Sequence, residues 1–371
     1  MVTYLDHAAG TPLREVAVQA MLPFFGERYA NPSGAYAVAR RARRAVDDAR
    51  DQVADALGVR PDEVIFTGGG TESDNTVIKG VDGIAVCSAV EHHGVLHPVE
   101  HGGGRVVGVD SVGRLCADEL VDALDDQVAV VSVMAVNNEV GTINDLGAIA
   151  EIVADHAPRA LVHTDAVQAA PWLDLAALAN QVDSLSLSAH KFGGPQGIGV
   201  LTVRRGIALS PLIEGGGQEA GLRSGTHNVA GIVGLAAALG ELSRQRDDEV
   251  ARIRLLRDRL VDEILAAVPD ARETVDRRHK VAGSAHLLFR GVESESLLFL
   301  LDQAGVAASA GSACSSGAIQ VSHVVEAMGI DREWAAGSLR LSLGHTTTAA
   351  DIDHAVVAVV DAVAQLRRDR S

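Results

Sequence analysis

The sequence predicts an α/β protein with a large, mainly parallel seven-stranded sheet domain and a smaller α+β domain. Three observations lead there. Seven short apolar, β-branched runs punctuate the first two-thirds of the 371 residues, helical patterns sit between several of them, and from Val281 onward the pattern changes character. Strands that alternate with helices make βαβ units, whose parallel sheet is covered on both faces.

The runs are Glu63–Thr67, Gly83–Ala89, Arg105–Val109, Val128–Val133, Ala160–Thr164, Ser184–Ser188 and Gly199–Val203. Helical spacing marks Tyr36–Leu57, with the basic face Arg40, Arg41, Arg43 and Arg44, then Glu72–Gly80 and Leu146–His156. Two further helices are expected at Asn228–Leu242 and Glu249–Ala267, the second with Ile253, Leu256, Leu260 and Ile264 on one face. Beyond Val281 the order reads strand, helix, strand, a glycine and serine loop, helices, and a last strand near Leu339–Leu343. The expected division is residues 15–250 for the large domain, and residues 1–14 with 251–371 for the small one. No internal repeat or low-complexity linker interrupts it.

Composition excludes several classes. With 32 basic and 49 acidic side chains the net charge is −17, the wrong sign for a general nucleic-acid binder, which needs clustered Lys and Arg. Hydrophobic residues make up 47% and charged ones 22%, enough to fill a core and against disorder. Aromatics are 3%, so that core is Ala, Val, Leu and Ile. The most apolar stretch, Val128–Val136, interrupted by Ser132, falls far short of the roughly 20 residues a spanning helix needs. Met1–Leu13 has no basic segment followed by an apolar one, so no secretory leader is expected. Three cysteines, Cys87, Cys116 and Cys314, make no disulfide framework; a reducing, cytoplasmic setting is the expectation.

The chemistry is expected beyond the carboxyl ends of the strands. Lys191 follows an apolar strand in Ser188-Ala189-His190-Lys191-Phe192-Gly193-Gly194. A lone strand-end lysine is ordinarily a surface residue; a Schiff-base lysine needs the same position with part of its hydration removed. Asp165, in His163-Thr164-Asp165-Ala166-Val167-Gln168, ends the preceding strand, where an aspartate is often only a helix cap. Pyridoxal phosphate requires such a pair, a lysine for its aldehyde and a carboxylate for its pyridine nitrogen. Thr67-Gly68-Gly69-Gly70-Thr71-Glu72-Ser73 joins a strand to a helix. It reads either as a tight turn or as a phosphate cradle of backbone N–H groups and helix dipole, and beside Lys191 and Asp165 the cradle is the better reading. His93 and His97 stand i, i+4, as zinc ligands on a helix can, but Gly94 weakens the helix, and one histidine against a cofactor ring is favoured over a metal. Cys314 lies in Ala310-Gly311-Ser312-Ala313-Cys314-Ser315-Ser316-Gly317, a stretch too small and polar to bury a thiol, which predicts an exposed, mobile nucleophile. Cys87 reads as core.

With these motifs in place the chain resembles the cysteine desulfurases of the NifS/IscS type, within the fold-type I pyridoxal-phosphate transferases. The resemblance runs from Tyr4-Leu5-Asp6-His7-Ala8-Ala9 to Arg340-Leu341-Ser342-Leu343-Gly344-His345. It includes Asn137-Asn138-Glu139-Val140-Gly141, Gly215-Gly216-Gly217-Gln218-Glu219 and Arg223-Ser224-Gly225-Thr226. It implies that Lys191 carries pyridoxal 5′-phosphate, Asp165 pairs the pyridine nitrogen, Gln168 bonds the ring hydroxyl, and His92 stacks on the ring and relays protons. Gly70, Thr71, Ser188 and His190 become phosphate ligands, with Thr226 donated by the neighbouring subunit of a homodimer. Asn138, at the cofactor, and Arg340 hold the substrate carboxylate, with Asn31 of the Asn31-Pro32-Ser33 motif also at the substrate. Cys314 accepts sulfur from L-cysteine as a persulfide, on the long loop type of the family, and passes it to an iron–sulfur scaffold or a tRNA-thiolation enzyme. No intrinsic metal is implied, although Cys314 could ligate a transferred iron–sulfur cluster; neither direct nucleic-acid nor membrane binding is expected. Tyr36, Ala39 and Gly10 depart from the family's residues at the site entrance. The alternative is a related lyase or aminotransferase such as a selenocysteine lyase, from which a thiol at Cys314 discriminates.

Overall fold

The computed structural model describes residues 2–310 and 321–369. In chain order it contains β1 (Thr3–Tyr4), α1 (Glu15–Met21), α2 (Ala37–Leu57), β2 (Val64–Thr67), α3 (Gly70–Gly80), β3 (Ile84–Ser88), α4 (His93–His101), β4 (Arg105–Val107), α5 (Ala117–Ala123), β5 (Val128–Ser132), α6 (Leu146–His156), β6 (Leu161–Asp165), α7 (Leu175–Gln181), β7 (Ser184–Ser188) and β8 (Gly199–Val203). After these come α8 (Val229–Ala267), β9 (Ala271–Glu273), β10 (Ser284–Phe289), α9 (Ser294–Gln303), β11 (Val306–Ala307), α10 (His323–Ala327), α11 (Arg332–Ala335), β12 (Ser338–Ser342) and α12 (Ala349–Arg368).

The seven strands expected of the large sheet form it, in the order β2-β8-β7-β6-β5-β3-β4. Only β8 runs against its neighbours, so β2, β3, β5, β6 and β7 all end at one edge. Apolar layers cover both faces. One contains Val46 and Leu57 of α2 with Leu185 and Leu239; the other contains Val77 of α3 and Val95 of α4 with Ile65 and Leu201. A separate core gathers Leu5, Leu287, Leu341 and Val359 around the antiparallel sheet β12-β10-β9.

Three departures from the expected elements have local causes. The two helices expected at Asn228–Leu242 and Glu249–Ala267 are one, α8, because Ser243–Asp248 is polar but holds no Gly or Pro to stop the ladder. Leu235, Leu239 and Leu242 therefore sit in the first core, and Ile253, Leu260 and Ile264 in the second. The helix expected from Glu72 starts at Gly70, so the glycine run is itself the first turn. The parallel pair β1–β11, two residues each, is too short to carry a period. Among the described residues no helix is long and apolar enough to cross a membrane.

One anchor ties the segment before α8 to the sheet. Glu219, in left-handed backbone at φ 48°, accepts from Arg50 of α2 at 2.6 Å, from His227 at 2.7 Å and from the Phe66 amide at 2.7 Å. Burial alone raises a carboxyl, but the His227 and Arg50 bonds win and hold Glu219 down to about 2. Its stabilisation is therefore complete above its ordinary 4.5 and is lost as pH falls toward 2. Glu219→Gln should lower unfolding stability by about 3 kcal/mol, since it strands Arg50 and His227. Urea titrations at pH 7 and pH 3 check this, and the gap between the proteins should narrow at the lower pH.

Candidate active site

The carboxyl ends of β2, β3, β5, β6 and β7 border a cleft of about 830 Å³ whose far wall is Arg340 of β12. Gly70, Thr71, His92, Asn138, Asp165, Gln168, Ser188, His190 and Lys191 line it together. Asn31 and Thr226 do not; both are exposed, Asn31 accepting from the Ser33 amide at 2.9 Å. Cys314 lies outside the described residues.

Lys191 stands in the single turn that follows β7, half-buried. Its Nζ donates to the carbonyls of Ala8 at 2.6 Å and Ala9 at 2.9 Å. Loss of hydration lowers its amine from 10.5 to about 8, with Arg340 pushing the same way and Asp165 and Asp6 opposing. Asp165, the last residue of β6, is buried. Its Oδ1 accepts the Val167 amide at 2.9 Å. Burial raises this carboxyl, and His92, the Val167 amide and Lys191 hold part of that rise back. His92 caps α4 by accepting the Gly94 amide on Nδ1 at 3.0 Å, which leaves the ring hydrogen on Nε2. Gln168 donates to the Ala8 carbonyl at 2.7 Å.

The glycine run is shaped for close backbone approach. Gly69 has φ +147°, and a Cβ at Gly70 would meet Val167 at 2.7 Å. The N-terminus of α3 thus opens into the cleft without side chains in the way. Ser188 bonds His190 Nδ1 at 2.9 Å beside it; burial and Lys191 lower His190 to about 4, so it is a neutral ring. Arg340 donates to the Asn138 carbonyl and to Asp6 Oδ1, both at 2.9 Å, while its buried Nε has no partner among the described residues.

Sequence reasoning missed the residues that hold these groups. The Tyr4–Gly10 segment lends only backbone carbonyls and Asp6, which leave no periodic trace. Asp74 and Glu91, both buried, border the same region. Asp74 had a signal: with Gly70, Ser73 and Val77 it lies on the inward stripe of α3, where a carboxylate is out of place. His93 stacks on His97 at 4.6 Å and lies 4.7 Å from His323; among the described residues no group of three or more His, Cys, Asp or Glu is arranged for a metal ion. The described thiols are poor nucleophiles. Burial pushes Cys87 far up, and Cys116 is raised by desolvation and then by Glu119.

A partly dehydrated amine, a strand-end carboxylate, an imidazole and a side-chain-free helix N-terminus form a donor set suited to pyridoxal 5′-phosphate. The fold and this cleft define a pyridoxal-phosphate transferase scaffold of fold type I. The chain belongs to the aminotransferase class-V family, whose profile matches residues 3–355. It is 44% identical to an IscS-like cysteine desulfurase of Mycobacterium tuberculosis, over 99% of this chain and 98% of that one. It is 41% identical to the cysteine desulfurase IscS of Methanosarcina thermophila, over 98% and 92%. A solved NifS-like protein superposes with a TM-score of 0.91 at 33% identity, covering 98% of this chain and all of the other.

The amine of Lys191 titrates near 8, so the rate at which cofactor-free protein forms an imine with pyridoxal phosphate should climb with pH and level off there. Stopped-flow absorbance across pH 6–10.5 measures it. Arg340→Gln removes a neighbouring cation and should move the plateau upward, whereas a wild-type rate still climbing past 10 would mean an ordinary, hydrated lysine.

Proposed function

We propose that this protein takes sulfur from L-cysteine, releases L-alanine and carries the sulfur as a persulfide on Cys314, with pyridoxal 5′-phosphate as its resident cofactor. The observation that carries this reading is the convergence of a dehydrated Lys191, Asp165 and Arg340 on one cleft, in a chain whose full-length relatives are named cysteine desulfurases.

Lys191 holds the cofactor's aldehyde carbon, Asp165 its pyridine nitrogen, Gln168 its ring hydroxyl, and His92 and Asn138 flank the ring. Gly70, Thr71, Ser188 and His190 hold the phosphate, and Thr226 completes that set from the second subunit of a homodimer. Its exposure on its own chain, along with exposed Phe25, Tyr29 and Tyr36, suits such a contact. When bound, the cofactor supplies the electron sink for carbanion chemistry at the substrate Cα. Arg340 and Asn138, with Asn31, hold the substrate carboxylate; the unpartnered buried Nε of Arg340 is a donor such an anion satisfies. Lys191, with its amine near 8, takes and returns the Cα proton close to neutral pH.

Cys314 then attacks the substrate sulfur as a thiolate. An S–S bond forms while the Cβ–S bond breaks, and that bond's electron pair stays on the carbon fragment, which is protonated to alanine. The flanks of its segment support this role. Ser309 and Arg340 exchange backbone hydrogen bonds at 3.2 and 2.7 Å. Ser322 donates to Glu139 at 2.5 Å, and His323 Nε2 bonds the Glu91 carbonyl at 3.0 Å. Both ends are therefore fastened to the cleft wall. The persulfide passes to an iron–sulfur scaffold or a tRNA-thiolation enzyme in the cytoplasm.

Two measurements test the reading. Borohydride reduction followed by peptide mapping should find the pyridoxyl group on Lys191; finding it on Lys79 or Lys280, the other lysines, would remove the cofactor assignment. Cys314→Ala should keep the cofactor and Cα proton exchange, yet lose sulfide release and bound persulfide by orders of magnitude, because covalent catalysis is gone. Sulfide release at the wild-type rate from that variant would point to a lyase instead.

A further inference from the structure

Under the cleft, three carboxylates are withdrawn from water: Asp74 of α3, Glu91 and Asp165. Glu91 uses one oxygen, Oε1, on the Met134 amide at 2.8 Å. Among the described residues neither oxygen of Asp74, 1% exposed, meets a donor in good hydrogen-bond geometry. An ionised carboxylate in that state would lack both the donors and the counter-charge that make a buried anion tolerable.

Among the described residues no cation relieves it. The nearest imidazole is His163 of β6, with Nε2 at 3.7 Å. That ring is fully buried, bonded to the hydroxyls of Ser132 at 2.8 Å and Ser186 at 3.0 Å, and burial lowers it to about 3, so it stays neutral. The Ser186 hydroxyl, which pulls the Asp74 carboxyl down in part, is shared with that ring. On the α4 side, Asp74 Oδ2, Thr71 Oγ1 and His92 Nδ1 crowd Gly94, all within 3.3 Å of where a Cβ would stand. His92 Nδ1 is taken by the Gly94 amide.

Asp165 is placed differently. It lines the same cleft as Asp74 but has the Val167 amide on Oδ1 and the Lys191 amine as a neighbour. Two buried carboxylates whose charges act on each other do not both ionise in a dry site, and the proton goes to the one held less well as an anion.

We propose that Asp74 keeps the proton of the Asp74–Asp165 pair and, as a neutral acid, leaves Asp165 as the anion that faces the cofactor nitrogen. Asp74 is a positioning residue acting through Asp165, and this role rests on the assignment of Asp165 given above. The electrostatics agree in direction: burial raises both groups, and the Asp165 charge raises Asp74 further against the pull of the Ser186 hydroxyl, whereas His92, the Val167 amide and Lys191 hold Asp165 down. The reverse arrangement, with the proton on Asp165, would remove the acceptor for a protonated pyridine.

Infrared spectroscopy of the holoenzyme at neutral pH tests the shared proton directly. The wild type should show a protonated carboxylic acid C=O band that Asp74→Asn removes, with Glu91→Gln marking any band from Glu91. In parallel, Asp74→Ala, which removes the buried acid and leaves a void under the cleft, should weaken cofactor retention by about tenfold. Asp74→Asn, neutral and able to donate, should restore most of that loss. The proposal is overturned if the Asn variant loses no acid band, or if it retains cofactor as poorly as the Ala variant. Should Asp74→Ala fail to fold, the band and the Asn variant's retention of cofactor decide alone. The band reports Asp74 whatever the enzyme transforms, so a failed borohydride map would strike the cofactor reading without erasing this result.

Discussion

A lysine amine taken out of water at the end of a parallel strand must find acceptors or surrender its proton, and the architecture around Lys191 arranges both. Two carbonyls of the N-terminal segment accept from it, at Ala8 and Ala9. Arg340 repels its charge from the opposite wall, while Asp165 and Asp6 attract it. The balance leaves the amine near 8, within reach of the neutral form that a nucleophile or base requires. Were Lys191 a few ångströms further into solvent, it would be a protonated surface residue with no chemistry.

That balance explains why neither core suffices alone. Asp165 and Lys191 are fixed by the large sheet, whose parallel register sets β6 beside β7. Arg340 belongs to β12, whose Leu339 and Leu341 are buried in the second core. Residues 5–10 cross between them: Leu5 is buried in the second core, Asp6 pairs Arg340, and the next carbonyls hold Lys191 and Gln168. The uninterrupted α8 contributes apolar residues to both cores, so the distance between the cleft's walls is set by a rod and not by a hinge.

How much of this the sequence disclosed depends on what kind of contact does the holding. All seven strands of the large sheet were legible, since β-branched runs bounded by turns carry a period. Lys191, Asp165 and the glycine run were legible because strand ends and glycines have positional meaning in such sheets. The acceptors of Lys191 were not, because a backbone carbonyl has no residue type to read. The β1–β11 pair was hidden by its length, and the continuity of α8 by a polar stretch that satisfies helix propensity without a stripe. Asp74 and Glu91 belong to no motif that marks them; an acid on an inward stripe is visible only when the stripe is drawn through it.

The chain's charge of −17 opposes an anionic ligand at long range, yet the cleft is assembled to receive one. The conflict is resolved by distance and dielectric. Surface carboxylates more than about 10 Å away are screened by physiological salt, whereas Arg340 and the N-termini of α3 and α4 act across a few ångströms with little water between. Gly70 and Thr71 open α3, and His92 caps α4, so both positive helix ends lie on the wall that also carries Asp165. A phosphate at that wall gains from α3 without adding to the repulsion inside the carboxylate group, provided that group holds fewer charges than carboxyls. Binding of an anionic cofactor and protonation of the buried acids are therefore one electrostatic problem, and the unpaired oxygens of Asp74 lie where its two halves meet.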